Sequence, residues 1–252
     1  MSILCYHAVE PGWDSALAVT PDLFEQHCAW LSRHRTVLPL AHAIDRMGPR
    51  GLPRGCTALT FDDGFRSLHE HALPVLRRHS LPATVFLVAE TLAPGGKEVD
   101  WVDHPPPYPM RTLSLEQVEE MQAAGVRFES HSYAHADLTT LSFEDCVRDL
   151  RTSRELLENV LGHQVRVLAY PRGRHDAGVR AAAEQAGYEY ALALPEGPEP
   201  AGPYAVPRVG VHHGNTVRHL RVKTAAPYLR LRTGRTYQWV RAARRAAART
   251  AS

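Results

Sequence analysis

The chain has 252 residues, 44% of them apolar and 22% charged, which is enough to build one substantial core and excludes a disordered polypeptide. Its formal net charge of +2 hides an uneven distribution, because eleven of the 29 Lys and Arg follow residue 200, where no Asp or Glu occurs. There is no apolar leader and no run of about 18 apolar residues, so a helical membrane span is not expected and a cytoplasmic protein is.

In chain order, residues 3–6 read as a buried strand ending at His7. Thr20, Pro21 and Asp22 have the form of a helix start: a hydroxyl N-cap, a proline in the first turn, then Phe24, Cys28, Trp30 and Leu31 at helical spacing. Val37 and Leu38 suggest a short strand, and residues 40–47 a helix. Residues 57–61 form the strand that carries Asp62 and Asp63. Side chains alternate along a strand, so neighbouring aspartates share a site only where the chain turns between them, and Gly64 favours that turn. Two such carboxylates resist joint ionisation. A cation removes the conflict, with one carboxylate as ligand and the other free as a base.

Residues 69–79 read as a helix around Leu73, Val75 and Leu76 that Pro74 makes irregular, and residues 82–88 as a buried strand. The stretch 93–111, with Gly95, Gly96 and three prolines from Pro105, is a long loop of the kind that lines a substrate groove. Ser114 and Gln117 have capping-box spacing, and Gly125 closes that helix. Strands over 126–130, 165–170 and 188–194 alternate with helices from Ser142 to Gly162 and over 175–186. Alternation of this kind implies parallel strands joined by right-handed crossovers, and about seven units favour a barrel over an open sheet. Phosphate-binding glycine loops are absent, which weakens kinase, NTPase and dehydrogenase readings. Cys5, Cys28, Cys56 and Cys146 lack CxxC spacing and read as reduced thiols.

His131 and His135 leave a strand four residues apart and, on entering a helical turn, would grip one metal from one side. Asp62, Asp63, both histidines, the turn from Ala169 to Gly173 and His7 all fall at predicted strand ends. In parallel α/β folds these ends converge on one face, where active sites assemble.

On Thr60-Phe61-Asp62-Asp63-Gly64, His131-Ser132-Tyr133-Ala134-His135, Ala169-Tyr170-Pro171-Arg172-Gly173 and the LPATVFL segment from Leu81, the sequence resembles the polysaccharide deacetylase family, carbohydrate esterase family 4 with its NodB homology domain. The resemblance runs from about Ile3 to about Val211. It implies an α/β fold, a distorted (β/α)7 barrel forming a single domain over residues 1–216, with a basic C-terminal extension over 217–252. The implied activity is metal-dependent hydrolysis of an N-acetyl or O-acetyl group on an N-acetylhexosamine-containing glycan, a lipid-linked sugar or a glycosylated small molecule. Asp63, His131 and His135 are then the metal ligands, with zinc expected first and cobalt, nickel, manganese or iron also suited to the set. By the same resemblance Asp62 is the base, the Arg172 N–H faces the oxyanion, and Tyr170, Pro171 and His212 bind substrate.

The sequence departs from the family pattern at three places. Ala169 stands where the family carries an arginine that orients the base, so Arg172 or Arg208 takes that part; Arg208 is preferred because it adjoins a predicted strand. The Leu-His pair of the acid motif is missing late in the chain, while Leu4-Cys5-Tyr6-His7 has its spacing at the start. That resembles the circularly permuted branch containing poly-N-acetylglucosamine deacetylases and makes His7 the acid, with His212 and His213 as runners-up. The aspartate-tryptophan motif that supports the acid is not recognisable. Of the other histidines, His27, His34, His69, His71, His79 and His163 read as surface residues. The basic tail, including Arg241, Arg244, Arg245 and Arg249, suits an anionic membrane surface or a polyanion, and specific nucleic-acid binding is not expected. A non-catalytic carbohydrate-binding protein that retains the barrel is the alternative reading.

Overall fold

A computed structural model describes residues 2–46, 55–195, 197–200, 202–234 and 237. The apolar runs become eleven short strands: β1 (Ser2–Tyr6), β2 (Ala8–Val9), β3 (Ala18–Val19), β4 (Thr36–Val37), β5 (Cys56–Phe61), β6 (Ala83–Leu87), β7 (Arg127–Ser130), β8 (Val167–Ala169), β9 (Tyr190–Ala193), β10 (Val206–Pro207) and β11 (Val209–Gly210). The main sheet is parallel and runs β10-β9-β8-β7-β6-β5-β1-β11. Its two end strands are consecutive in sequence, separated by Arg208 alone. Val206 pairs with Leu192 of β9, and Val209 with Leu4 of β1. One segment thus joins both edges and closes the sheet into a distorted (β/α)7 barrel of a single domain. The pair β2–β3 and the short β4, which lies beside the start of β5, stand outside the ring.

Strand alternation divides the core into two layers. Ile3, Ala58, Phe86, Val167, Ala169, Leu192 and Val206 fill the barrel, and Leu40, Ala43 and Ile44 of helix α2 (Leu40–Asp45) pack with them. Their strand neighbours Leu4, Leu59, Val85, Leu87, Phe128 and Leu168 belong to the larger outer cluster under the surrounding helices. By the same parity Cys5, Thr60 and Asp62 point inward. Met47, placed at the end of the predicted α2, lies outside the described residues.

Helix starts follow local chemistry. Thr20 caps α1 (Pro21–His34), and residues 68–78 form a π-turn over Leu68–Ala72 followed by α3 (Leu73–Arg78). The irregularity has a cause: Pro74 has no N–H to give to Glu70, and the Leu73 N–H reaches back to Leu68 O. Ser114 and Gln117 form a complete capping box on α4 (Leu115–Ala123). Ser142 caps α5 (Phe143–Leu161), Asp176 caps α6 (Ala177–Gln185), and α7 (Val217–Lys223) and α8 (Ala226–Thr233) follow.

His27 corrects the surface assignment, because its ring is fully buried between Tyr6 Oη at 3.1 Å and Asn215 O at 2.6 Å. Helix α7 also packs inward through buried Leu220, and Lys223 donates to Gly210 O and Asn215 Oδ1 at 2.6 Å each. Arg241, Arg244, Arg245 and Arg249 lie outside the described residues. No described helix is long and apolar enough to cross a membrane.

Glu129 on β7 is 5% exposed, and its Oε2 accepts the N–H groups of Arg166 and Val167 at 2.9 Å each. Burial raises its pKa from 4.5 to about 7 against the opposing effect of those donors. The folded state therefore holds this proton where the unfolded chain releases it, and stability falls as pH rises from about 4.5 to about 7. Glu129→Gln keeps an acceptor for both N–H groups and removes the charge. The variant is expected to lose this decline, gaining on the order of 3 kcal/mol over wild type at pH 8 relative to pH 4.5. Parallel urea-stability profiles for the two proteins across that range would refute the assignment.

Candidate active site

The two aspartates divide at a turn. Asp62 continues β5, its N–H bonded to Tyr6 O at 2.9 Å, and its side chain faces into the barrel. At Asp63 the backbone becomes left-handed, with φ of 68°, and the Gly64 N–H closes back on Asp62 O at 2.9 Å. Gly64 is itself left-handed, and a Cβ there would lie 2.6 Å from Leu87 Cδ2. Adjacent carboxylates thereby take separate positions.

Asp63 Oδ1 stands 3.3 Å from His135 Nε2 and 3.7 Å from His131 Nε2, and all three side chains are buried. The ligand atoms of these residues lie within 4.8 Å of one another. The histidines converge through an irregular turn and not the helical turn read from their spacing: Ser132 and His135 are left-handed, at φ of 67° and 58°, and Ser132 Oγ accepts the His135 N–H. Such strain at several residues of one site marks a held geometry. His131 Nδ1 sits 2.8 Å from Ala169 O, which fixes the proton on Nδ1 and leaves the Nε2 lone pair facing Asp63. Burial lowers the His131 pKa to about 4, so the ring is neutral near pH 7. One carboxylate and two imidazoles, brought together within 4.8 Å, form a donor set that fits a tetrahedral divalent cation such as zinc.

Arg208 reaches the inward-facing Thr60 and Asp62 and is fully buried. Its Nη1 and Nη2 donate to Asp62 Oδ1 and Oδ2 at 2.6 and 2.7 Å, and its guanidinium lies 5.3 Å from the centre of the Phe86 ring. Cys5 Sγ adds a third donor, 3.3 Å from Asp62 Oδ2; burial pushes the thiol's pKa well up and keeps it protonated. Burial on its own would raise the Asp62 pKa, but Arg208, followed by His131, holds the carboxyl well below the usual range. His7 leaves β1 beside this carboxylate: ligand atoms of Cys5, His7 and Asp62 also lie within 4.8 Å of one another. A second cation is disfavoured there, because both Asp62 oxygens already face a guanidinium. His7, Asp62, Asp63, His131 and His135 line a cleft of about 550 Å³ together with Trp101, His104, Arg172, Leu194 and His212, while Arg208 and Cys5 lie behind it.

A family model described as Polysaccharide deacetylase matches residues 50–191, more than half of the chain. The chain belongs to the polysaccharide deacetylase family. It is 29% identical over 218 residues to YxkH of Bacillus subtilis, covering 85% of this chain and 72% of that protein. It is 27% identical over 208 residues to the poly-beta-1,6-N-acetyl-D-glucosamine N-deacetylase of Staphylococcus epidermidis, covering 76% and 67%. Two solved structures share its fold: the Streptococcus pyogenes deacetylase PplD in complex with acetate (TM-score 0.76, 23% identity, 89% of this chain and 97% of that one) and IcaB from Ammonifex degensii (TM-score 0.70, 22% identity, 90% and 96%).

Within this polysaccharide deacetylase, several residues stand elsewhere than the sequence implied. Arg172 lines the cleft in a left-handed turn at φ of 57°, but its side chain reaches Trp101 O at 3.1 Å and Asp103 at 3.4 Å, not the base. Orientation of Asp62 falls to Arg208. Gly173 permits this turn, since a Cβ there would come within 2.8 Å of Leu194 N. Tyr170 and Pro171 are corrected as substrate contacts: both are buried, and Tyr170 Oη donates to Tyr204 O at 2.9 Å. Strand parity explains this, because Ala169 faces the barrel and its neighbour must face the helices. His212 does line the cleft, whereas His213 is half exposed near Asp14.

Two contributors escaped the sequence reading. Trp101 Nε1 donates to Asp63 Oδ1 at 3.0 Å, and its ring stacks on His135 at 5.0 Å. The available signal was a lone tryptophan in a loop already marked as a groove wall. Cys5 is the other; its place between Leu4 and Tyr6 gave it an inward parity, but the thiol's partner required the Asp62 position.

Proposed function

We propose that this protein is a metal-dependent N-deacetylase of N-acetylglucosamine-containing glycans. The observation that carries the reading is the buried Asp63, His131 and His135 set beside a carboxylate clamped by Arg208, all opening into one cleft. The named activity of the Staphylococcus epidermidis relative supports this choice of sugar and of the amide over the ester.

Asp63, His131 and His135 would hold a divalent cation, zinc by the chemistry of its donors; bound there, it supplies Lewis acidity that polarises the acetamide carbonyl and acidifies water. Asp62 accepts the proton of the attacking water. Arg208 fixes the direction of the Asp62 lone pairs and keeps the group ionised, at the expense of basicity. The Arg172 N–H, in the left-handed turn on the cleft wall, donates to the oxygen that gains charge. His7 protonates the departing amine, so acetate and a free amino sugar are the products. Trp101 covers His135 and restricts water around Asp63.

His131→Ala is expected to lower bound zinc from one equivalent to below about 0.1 and to abolish acetate release from N-acetylglucosamine oligomers. Elemental analysis and an acetate assay check this. Full zinc stoichiometry in the variant would overturn the ligand set, and zinc-loaded wild-type protein that frees no acetate from N-acetylated oligomers would overturn the enzyme reading.

A further inference from the structure

The carboxylate of the candidate metal set has a partner on a segment that no regular element supports. Between Leu92 and Leu115 the chain forms neither helix nor strand, apart from the isolated bridge of Thr112 with Phe65. Trp101 lies within that stretch, yet it is only 9% exposed. Its indole N–H donates to Asp63 Oδ1 at 3.0 Å, and its ring lies 5.0 Å from that of His135 with the two planes 23° apart. Oδ1 is the oxygen nearest His135 Nε2 and His131 Nε2. An ionised carboxylate oxygen has two lone pairs, so the indole can take one and leave the other for a cation.

The bond answers a local need. The terminal torsion of an aspartate is broad, so nothing in Asp63 itself fixes where its oxygens point. An indole fixes them without adding charge, whereas a guanidinium, as at Asp62, would repel a cation bound beside it. Trp101 is in turn pinned from two sides. Arg172 Nη2 donates to Trp101 O at 3.1 Å, and the same guanidinium lies 3.4 Å from Asp103. Trp13 Nε1 donates to His104 O at 3.0 Å, and Val102 packs on the small cluster of Ala8, Trp13, Ala18 and Phe65.

We infer that Trp101 is a positioning residue of the metal site: its N–H sets Asp63, its ring seats His135, and the Arg172 anchor holds it there, so that a bound cation exchanges slowly. Because this depends on the metal-dependent reading, the test uses zinc alone, without turnover. Zinc Kd and release rate are read by competition with a chromophoric chelator for wild type, Trp101→Phe, Arg172→Gln and the double variant. Trp101→Phe keeps a ring over His135 and lacks the donor; it is expected to raise the zinc Kd about 10–100-fold and to speed release in step. Arg172→Gln is expected to weaken binding less, and to add nothing in the Trp101→Phe background, because the anchor acts through the indole. Urea midpoints of the metal-free proteins are expected to stay at the wild-type value, which separates a lost donor from a folding defect. Wild-type zinc affinity and release rate in Trp101→Phe, or full additivity of the two substitutions, would overturn the positioning role and leave the metal set standing. Wild-type protein that takes up no zinc would overturn the metal set itself. Weakened zinc binding in Trp101→Phe, alongside a zinc-loaded wild type that frees no acetate, would keep the positioning role and remove the deacetylase reading.

Discussion

Arg208→Ala is expected to cost about 3–5 kcal/mol of stability and nearly all activity, since it leaves the Asp62 carboxylate inside the barrel with its charge uncompensated. Both guanidinium bonds, at 2.6 and 2.7 Å, disappear together, and Cys5 remains as a single weak donor. Arg208→Lys retains the charge but not the planar fork and is expected to fall between the two, with activity reduced more than stability. The informative comparison is Asp62→Leu with Arg208→Met. Replacing the whole buried pair removes two desolvation costs at once, so the double variant should recover most of the lost stability while staying inactive. Urea unfolding of the four proteins checks this. A loss below about 1 kcal/mol for Arg208→Ala would mean that the pair is solvated in solution and that Arg208 does not hold the base.

The parts of the site visible in the sequence are those where polar residues interrupt apolar runs. Asp62 and Asp63 after a buried strand, and His131 after another, have no packing explanation, so their chemistry was readable. Arg208 was readable for the same reason, as a charge within Val206-Pro207-Arg208-Val209. Its full importance was not, because barrel closure depends on one segment pairing with β9 and β1 at once, which no local pattern encodes. Tyr170 was misplaced because a motif does not state which face of a strand a residue takes. His27 looked like a surface residue on an amphipathic helix, until the folding of α7 over α1 supplied Asn215 as its partner. The irregular turn holding His131 and His135 was hidden for another reason: their spacing of four is what a helix would also produce, and the left-handed Ser132 and His135 go with N–H bonds to the hydroxyls of Ser130 and Ser132, which spacing alone does not reveal.

The acid can be assigned by a second contrast. His7 and His212 both line the cleft, and each has a buried Nδ1 without a hydrogen-bond partner among the described residues. Burial, reinforced by Lys223, pulls His212 down to about 4, so this ring is already deprotonated at neutral pH and has no proton to give a leaving amine. His7 lies at the other side of the cleft's base, with a ring nitrogen within 4.8 Å of the Asp62 carboxylate. His7→Ala is therefore expected to lower kcat about 10²–10⁴-fold on an N-acetyl substrate with zinc content intact. His212→Ala should alter kcat by less than about tenfold. An activated O-acetyl ester, whose leaving group needs no proton, sharpens the contrast, because the His7→Ala defect should shrink towards wild type on it. A defect equally large on amide and activated ester would show that His7 acts on the base or the ligand set, and a larger loss in His212→Ala would move the acid there.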